Sequence, residues 1–111
     1  MTKYIIGVDG GGTKTHYALF NSQGKFINFI KGGPTNHEIY PDGYKGASKE
    51  IKSSVLKLLQ QSRLKPEDLS YGIFGLAGVD IKSQKKELSG IIYETGIRNF
   101  EVFNDAFLGI K

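Results

Sequence analysis

The first third of the chain alternates between apolar and polar positions in the manner of strands. Lys3 to Asp9 (Lys-Tyr-Ile-Ile-Gly-Val-Asp) is an apolar, β-rich run that ends in a carboxylate. Lys14 to Phe20 alternates strictly, with Thr15, Tyr17 and Leu19 set against His16, Ala18 and Phe20. A period of two is what a strand with one buried face requires. Lys25 to Lys31 is a third such run, and Asn21-Ser22-Gln23-Gly24 before it has hairpin-turn composition. Three strands joined by short turns predict an antiparallel meander.

The period then changes. Gly32-Gly33-Pro34-Thr35-Asn36-His37 is a loop by its breaker residues. Beyond Pro41-Asp42-Gly43, the apolar positions Ala47, Ile51, Val55, Leu58 and Leu59 recur at three and four spacing. That stripe predicts an amphipathic helix running to about Arg63, with Asp42 as its N-cap. Pro66 closes the connection, and Tyr71 to Leu76 reads as a buried strand. After the loop Ala77-Gly78-Val79-Asp80, a second helix is predicted over about Lys82 to Glu94, capped by Asp80 and stopped by Gly96. Phe100 to Asn104 is a fifth strand, and a further helix is expected to begin after Asp105. The order β-β-β-α-β-α-β predicts an α/β domain. Three antiparallel strands, followed by alternating helix and strand, form one mixed sheet with helices on its faces.

Composition narrows what such a domain can do. The 39% hydrophobic share over 111 residues supports a modest core. With no cysteine, disulfide frameworks, thiol catalysis and cysteine-ligated metal centres are excluded from this chain. His16 and His37 lie far apart in no metal-binding pattern, and neither is assigned a role. No apolar run exceeds four residues, so no membrane span is expected and a reducing, cytoplasmic setting is the default. The net charge of +4 raises nucleic acid as a partner. The lysines are dispersed, however, and Lys49, Lys52 and Lys57 fall on a solvated helix face, so nucleic-acid binding is not expected. Fifteen glycines are about twice the usual share of ~7% and must serve specific loops.

The most informative of those loops is Asp9-Gly10-Gly11-Gly12-Thr13-Lys14. Gly7 and Gly12 are spaced as in a Walker A loop, but Thr13-Lys14 inverts the required order and a strand follows where a helix should. The same strand excludes a Rossmann fingerprint. What remains is a glycine-rich hairpin turn whose N–H groups can approach phosphate oxygens with no Cβ between. Asp9, at a strand end, could hold hydrated Mg²⁺. The competing reading is a tight turn with no ligand, although three consecutive glycines exceed what a two-residue turn needs.

Gly7-Val8-Asp9-Gly10-Gly11-Gly12-Thr13-Lys14-Thr15 resembles the first phosphate loop of the N-acetylglucosamine kinase and BadF/BadG/BcrA/BcrD ATPase group. That group lies within the actin/hexokinase/Hsp70-like superfamily, whose fold is ribonuclease-H-like. Three further stretches match in order. Gly33-Pro34-Thr35-Asn36 is similar to the family's sugar-contacting loop, Gly75-Leu76-Ala77-Gly78-Val79-Asp80 to its inner glycine-rich loop, and Asn104-Asp105-Ala106 to its second phosphate region. The resemblance covers the whole chain.

It implies an ATP- and Mg²⁺-dependent kinase of a hexosamine, of which residues 1–111 would be the N-terminal actin-like domain of a two-domain protein. Gly10, Gly11, Gly12, Thr13 and Lys14 would contact phosphates, and Asp9 would hold Mg²⁺ through water. Thr35, Asn36 and Gly78 would border the sugar, and Asp105 would be the general base that takes the proton from its attacking hydroxyl. Each role has a plainer counterpart. Asn104-Asp105 could be a helix N-cap, Asn36 an Asx turn after Pro34, and Gly75 and Gly78 strand–loop punctuation. A homodimer of the full-length protein is compatible with the resemblance. A second function in the same family is an ATPase that activates a partner enzyme without any sugar. Members that bridge an iron–sulfur cluster do so with cysteines, which this chain does not supply.

Overall fold

A computed structural model describes residues 3–77 and 82–104. Five strands form one sheet: β1 (Tyr4–Gly10), β2 (Thr15–Asn21), β3 (Phe26–Gly32), β4 (Leu69–Leu76) and β5 (Phe100–Asn104), in the order β3-β2-β1-β4-β5. β1 pairs antiparallel with β2, and β2 with β3, which is the expected meander. β4 lies parallel to β1 on its other side, and β5 parallel to β4.

Two helices make the crossovers, α1 (Tyr44–Gln61) and α2 (Lys82–Glu94). They bury the stripes expected of them: Ala47, Ile51, Val55, Leu58 and Leu59 on α1, and Leu88, Ile91 and Ile92 on α2. These residues share one core with Ile6, Val8, Tyr17, Leu19, Phe74, Leu76 and Val102 of the sheet. Both described helices therefore cover the same face, rather than one each. The strand order explains this. The steps from β3 to β4 and from β4 to β5 move in the same direction across the sheet, so two right-handed crossovers return to the same side.

The element boundaries correct the sequence expectation in three places. Asp42 does not cap α1 with its side chain; the cap position belongs to Gly43, at φ +60°, a conformation that favours glycine. α1 ends at Gln61 rather than Arg63, and Arg63 turns the chain through a left-handed φ of +60°. β4 starts two residues early, at Leu69, where its first pairing is with Tyr4. Gly96 does terminate the α2 region, at φ +100° with its N–H donating to the Tyr93 carbonyl.

The topology fixes which loops meet. The carboxyl ends of β1, β4 and β5, the start of β2 and the end of β3 all lie along one edge, as the pairs Gly10–Thr15, Gly10–Leu76, Thr15–Gly32 and Leu76–Asn104 require. That edge is where ligands bind in open α/β sheets.

Candidate functional site

The glycine-rich turn closes between β1 and β2 by a hydrogen bond from Gly11 N–H to the Lys14 carbonyl, 3.0 Å. Its three glycines meet different surroundings. None has a left-handed φ, so backbone conformation does not demand them. Gly10 is buried, and a Cβ there would collide with Thr35 Oγ1 and sit 2.9 Å from Leu76 Cδ2. At Gly11 and Gly12 a Cβ would meet nothing nearer than Lys14 O at 3.6 Å and Ile39 Cδ1 at 4.0 Å. Gly10 thus answers to packing, while Gly11 and Gly12 leave open space above the turn. No backbone carbonyl among the described residues accepts from the N–H of Gly12 or Thr13. Gly12, Thr13 and Lys14 are exposed, and Asp9 is half-buried one residue before the first of the glycines. Unpaired donors, open space and an adjacent lysine suit phosphate oxygens.

Those residues also fit a hydrated divalent cation. Among the described residues no three carboxylate or imidazole groups cluster to form a cage, whereas Asp9 offers a single carboxylate beside the turn. Mg²⁺ is commonly held by one or two carboxylates, waters and substrate phosphates.

The Gly32–Asn36 segment is tied to this turn. Thr35 N–H donates to the Gly11 carbonyl at 3.3 Å, and Thr15 Oγ1 donates to Thr35 Oγ1 at 3.2 Å. Thr15 and Thr35 are both fully buried. The Thr35 hydroxyl therefore lies behind the turn and ties its loop to the start of β2, which is a different placement from the sugar contact expected of it. Asn36 is half-buried at the end of the loop. Its Oδ1 accepts from Glu38 N–H at 3.0 Å and caps a 3-10 turn at His37–Ile39. The Asx chemistry read as one alternative is therefore present, and among the described residues the amide nitrogen of Asn36 donates to none. His37 stacks on Tyr44 at 4.1 Å between centroids.

The inner loop joins the same edge: Ala77 N–H donates to the Gly10 carbonyl at 2.9 Å, and Gly75 lies between Asp9 and Phe103 in the sheet register. Asn104 ends β5 beside Leu76. Gly78, Asp80 and Asp105 lie outside the described residues.

A group that the sequence reading passed over supports the Gly32–Asn36 loop from below. Glu50 Oε2 accepts from Tyr17 Oη at 3.2 Å and from Ser54 Oγ at 2.5 Å. Tyr40 Oη donates to the Pro34 carbonyl. Burial pushes the Tyr17 phenol far above its ordinary value, and the Glu50 carboxylate adds to the effect. The available signal was the i, i+4 pair Glu50–Ser54 beside the apolar stripe of α1.

A model of the BadF/BadG/BcrA/BcrD ATPase family matches residues 6–109. The chain belongs to that family. Among curated relatives of this ATPase family member, an N-acetylmuramic acid/N-acetylglucosamine kinase from Clostridium acetobutylicum is 31% identical over 97% of the chain and 35% of the relative. A glucosamine kinase from Vibrio cholerae is 30% identical over 67% of the chain and 24% of the relative. The chain thus spans about a third or less of the length of these relatives. A crystal structure from Chromobacterium violaceum, provisionally named as an N-acetylglucosamine kinase, superposes on 92% of the chain and 35% of its own length, with a TM-score of 0.65 at 22% identity. That likeness bears out the expected α/β fold, three antiparallel strands followed by alternating helix and strand in one mixed sheet. Among the described residues of the family member, no helix is long and apolar enough to cross a membrane.

Proposed function

We propose that the chain is the N-terminal part of an ATP-dependent hexosamine kinase, acting on a sugar of the N-acetylglucosamine type in the cytoplasm. The observation that carries this is the union of two loops at one sheet edge. The open Gly10–Lys14 turn is hydrogen-bonded through Gly11 to the loop that ends in Asn36. A donor-rich turn for phosphates and a carboxamide for hydroxyls, held about one loop apart, are what transfer from a nucleotide to a sugar needs. The names of the two curated kinases support the acceptor class.

In this reading the N–H groups of Gly12 and Thr13, the Thr13 hydroxyl and the Lys14 ammonium hold phosphate oxygens, while Gly10 and Gly11 shape the turn that presents them. Asp9 orients Mg²⁺ through water, and the metal, when bound, neutralises phosphate charge. The amide of Asn36 donates to a sugar hydroxyl, with Thr35 positioning it from behind. Gly78 lets the sugar lie close to backbone. Asp105 takes the proton from the attacking hydroxyl as the γ-phosphoryl group transfers. A second domain supplies the adenosine contacts, and closure between the domains expels water.

The test is ADP release by the full-length protein across a panel of sugars. Turnover that rises several-fold with one hexosamine supports the proposal. ATP turnover indifferent to every sugar favours an ATPase that drives a partner enzyme.

A further inference from the structure

Every residue from Gly32 to Asn36 has an anchor. Asn36 is fixed by the Glu38 N–H, Thr35 by Gly11 and Thr15, and Pro34 by the Tyr40 hydroxyl. Gly32 and Gly33 rest on Glu50. A Cβ at Gly32 would collide with Glu50 Oε2 and lie 2.7 Å from Ser54 Oγ, and one at Gly33 would lie 3.1 Å from Glu50 Oε1. The two carboxylate oxygens thus face the last residue of β3 and the first residue of the loop. Oε2 also accepts from β2 through Tyr17 and from α1 through Ser54. The ion pair recorded among the described residues is Lys52–Glu94, so Glu50 is held by hydroxyl donors and not by a cation.

We propose that Glu50 is a positioning residue for the sugar-facing loop, setting the height at which Asn36 meets the acceptor. The role rests on the sugar-kinase reading above. Its selectivity follows from the connectivity. The phosphate turn keeps its own closure, Gly11 to Lys14, and its pairing with β4 whether or not Glu50 is present. Losing the carboxylate should therefore disturb the acceptor side of the site and spare the nucleotide side.

The experiment uses the full-length protein and its Glu50→Ala, Glu50→Gln and Tyr17→Phe variants. Sugar and ATP are varied separately in a coupled ADP assay, and amide exchange is followed over residues 33–36. Glu50→Ala should raise the sugar KM about tenfold or more. The ATP KM should stay within about twofold of wild type. Glu50→Gln keeps an acceptor for Tyr17 and Ser54, so it should recover most of the loss. Tyr17→Phe should shift the sugar KM in the same direction by a smaller factor, and exchange over 33–36 should quicken in Glu50→Ala. Equal changes in both KM values, no change in either, or no rescue by Glu50→Gln would overturn the role. If Glu50→Ala does not fold, Tyr17→Phe and Ser54→Ala must show the same split or the role is lost. If the wild type phosphorylates no sugar, the sugar reading fails and exchange decides the loop-holding alone: unchanged exchange overturns it, and quickened exchange keeps it.

Discussion

Replacing Gly10 by alanine should destabilise the fold far more than the same change at Gly11 or Gly12. At Gly10 the new methyl would collide with Thr35 Oγ1 while lying 2.9 Å from Leu76 Cδ2 and 3.3 Å from Thr15 Oγ1, all in a buried corner. Overpacking of this kind costs about 1–3 kcal/mol. Separating the buried Thr15–Thr35 pair adds ~1 kcal/mol. The sum is a loss of about 2–4 kcal/mol. With an m-value of ~2 kcal/mol per M, the urea midpoint would fall by about 1–2 M. At Gly11 and Gly12 the methyl enters open space at ordinary φ, so stability should stay within about 1 kcal/mol of wild type. There the cost should appear in function, because the added methyl occupies the volume assigned to phosphate. ATP affinity of the full-length Gly12→Ala protein should drop by about tenfold or more. The assays are urea denaturation followed by circular dichroism, and nucleotide titration. Equal destabilisation at all three positions would refute the division between packing and ligand space. Unchanged ATP affinity in Gly12→Ala would refute the phosphate assignment.

Other outcomes follow from the same contacts. Thr35→Val should lower stability by about 1–3 kcal/mol by stranding the buried Thr15 hydroxyl, and adding Thr15→Val should recover part of it in urea denaturation. The Tyr17 phenol is raised above its ordinary value of 10.0 by burial and by Glu50. The folded state then keeps a proton that the unfolded chain gives up, so stability is full below pH 10.0 and falls above it by up to ~1.4 kcal/mol per pH unit. Tyr17→Phe should flatten that alkaline slope in melts recorded between neutral and alkaline pH; an unchanged slope would deny the burial effect. Asp105→Asn in the full-length protein should cut kcat by about 10²-fold or more and leave ATP affinity near wild type. Near-normal turnover would remove Asp105 from the base role.

Periodicity carried most of the fold. The strict alternation over Lys14 to Phe20 and the stripe from Ala47 to Leu59 named buried faces that the structure shares. Boundaries were less legible where local signals misled. Asp42 reads as a cap, yet the chain needs a left-handed φ at the next residue and uses Gly43. The polar segment Pro66-Glu67-Asp68 hides the start of β4, since Leu69 pairs with Tyr4 at a distance in sequence that no local period reports.

At the site, the glycine turn was visible as a motif, but its division of labour was not. Gly10 is constrained by Thr35 and Leu76, which are remote in sequence. Thr35 reads as a ligand contact because it precedes Asn36. Its hydroxyl instead reaches Thr15, a pairing set by the register of β2 with β3. Glu50 escaped notice because a glutamate beside an apolar stripe usually faces solvent, and only the fold brings it under Gly32 and Gly33.

The central claim is that the loops of this chain serve transfer to a sugar rather than to water. Phosphorus NMR of the full-length protein incubated with Mg-ATP and N-acetylglucosamine or glucosamine tests it directly. The account predicts a sugar phosphate accumulating in step with ADP. ADP accompanied by inorganic phosphate, with no sugar phosphate formed, would contradict it.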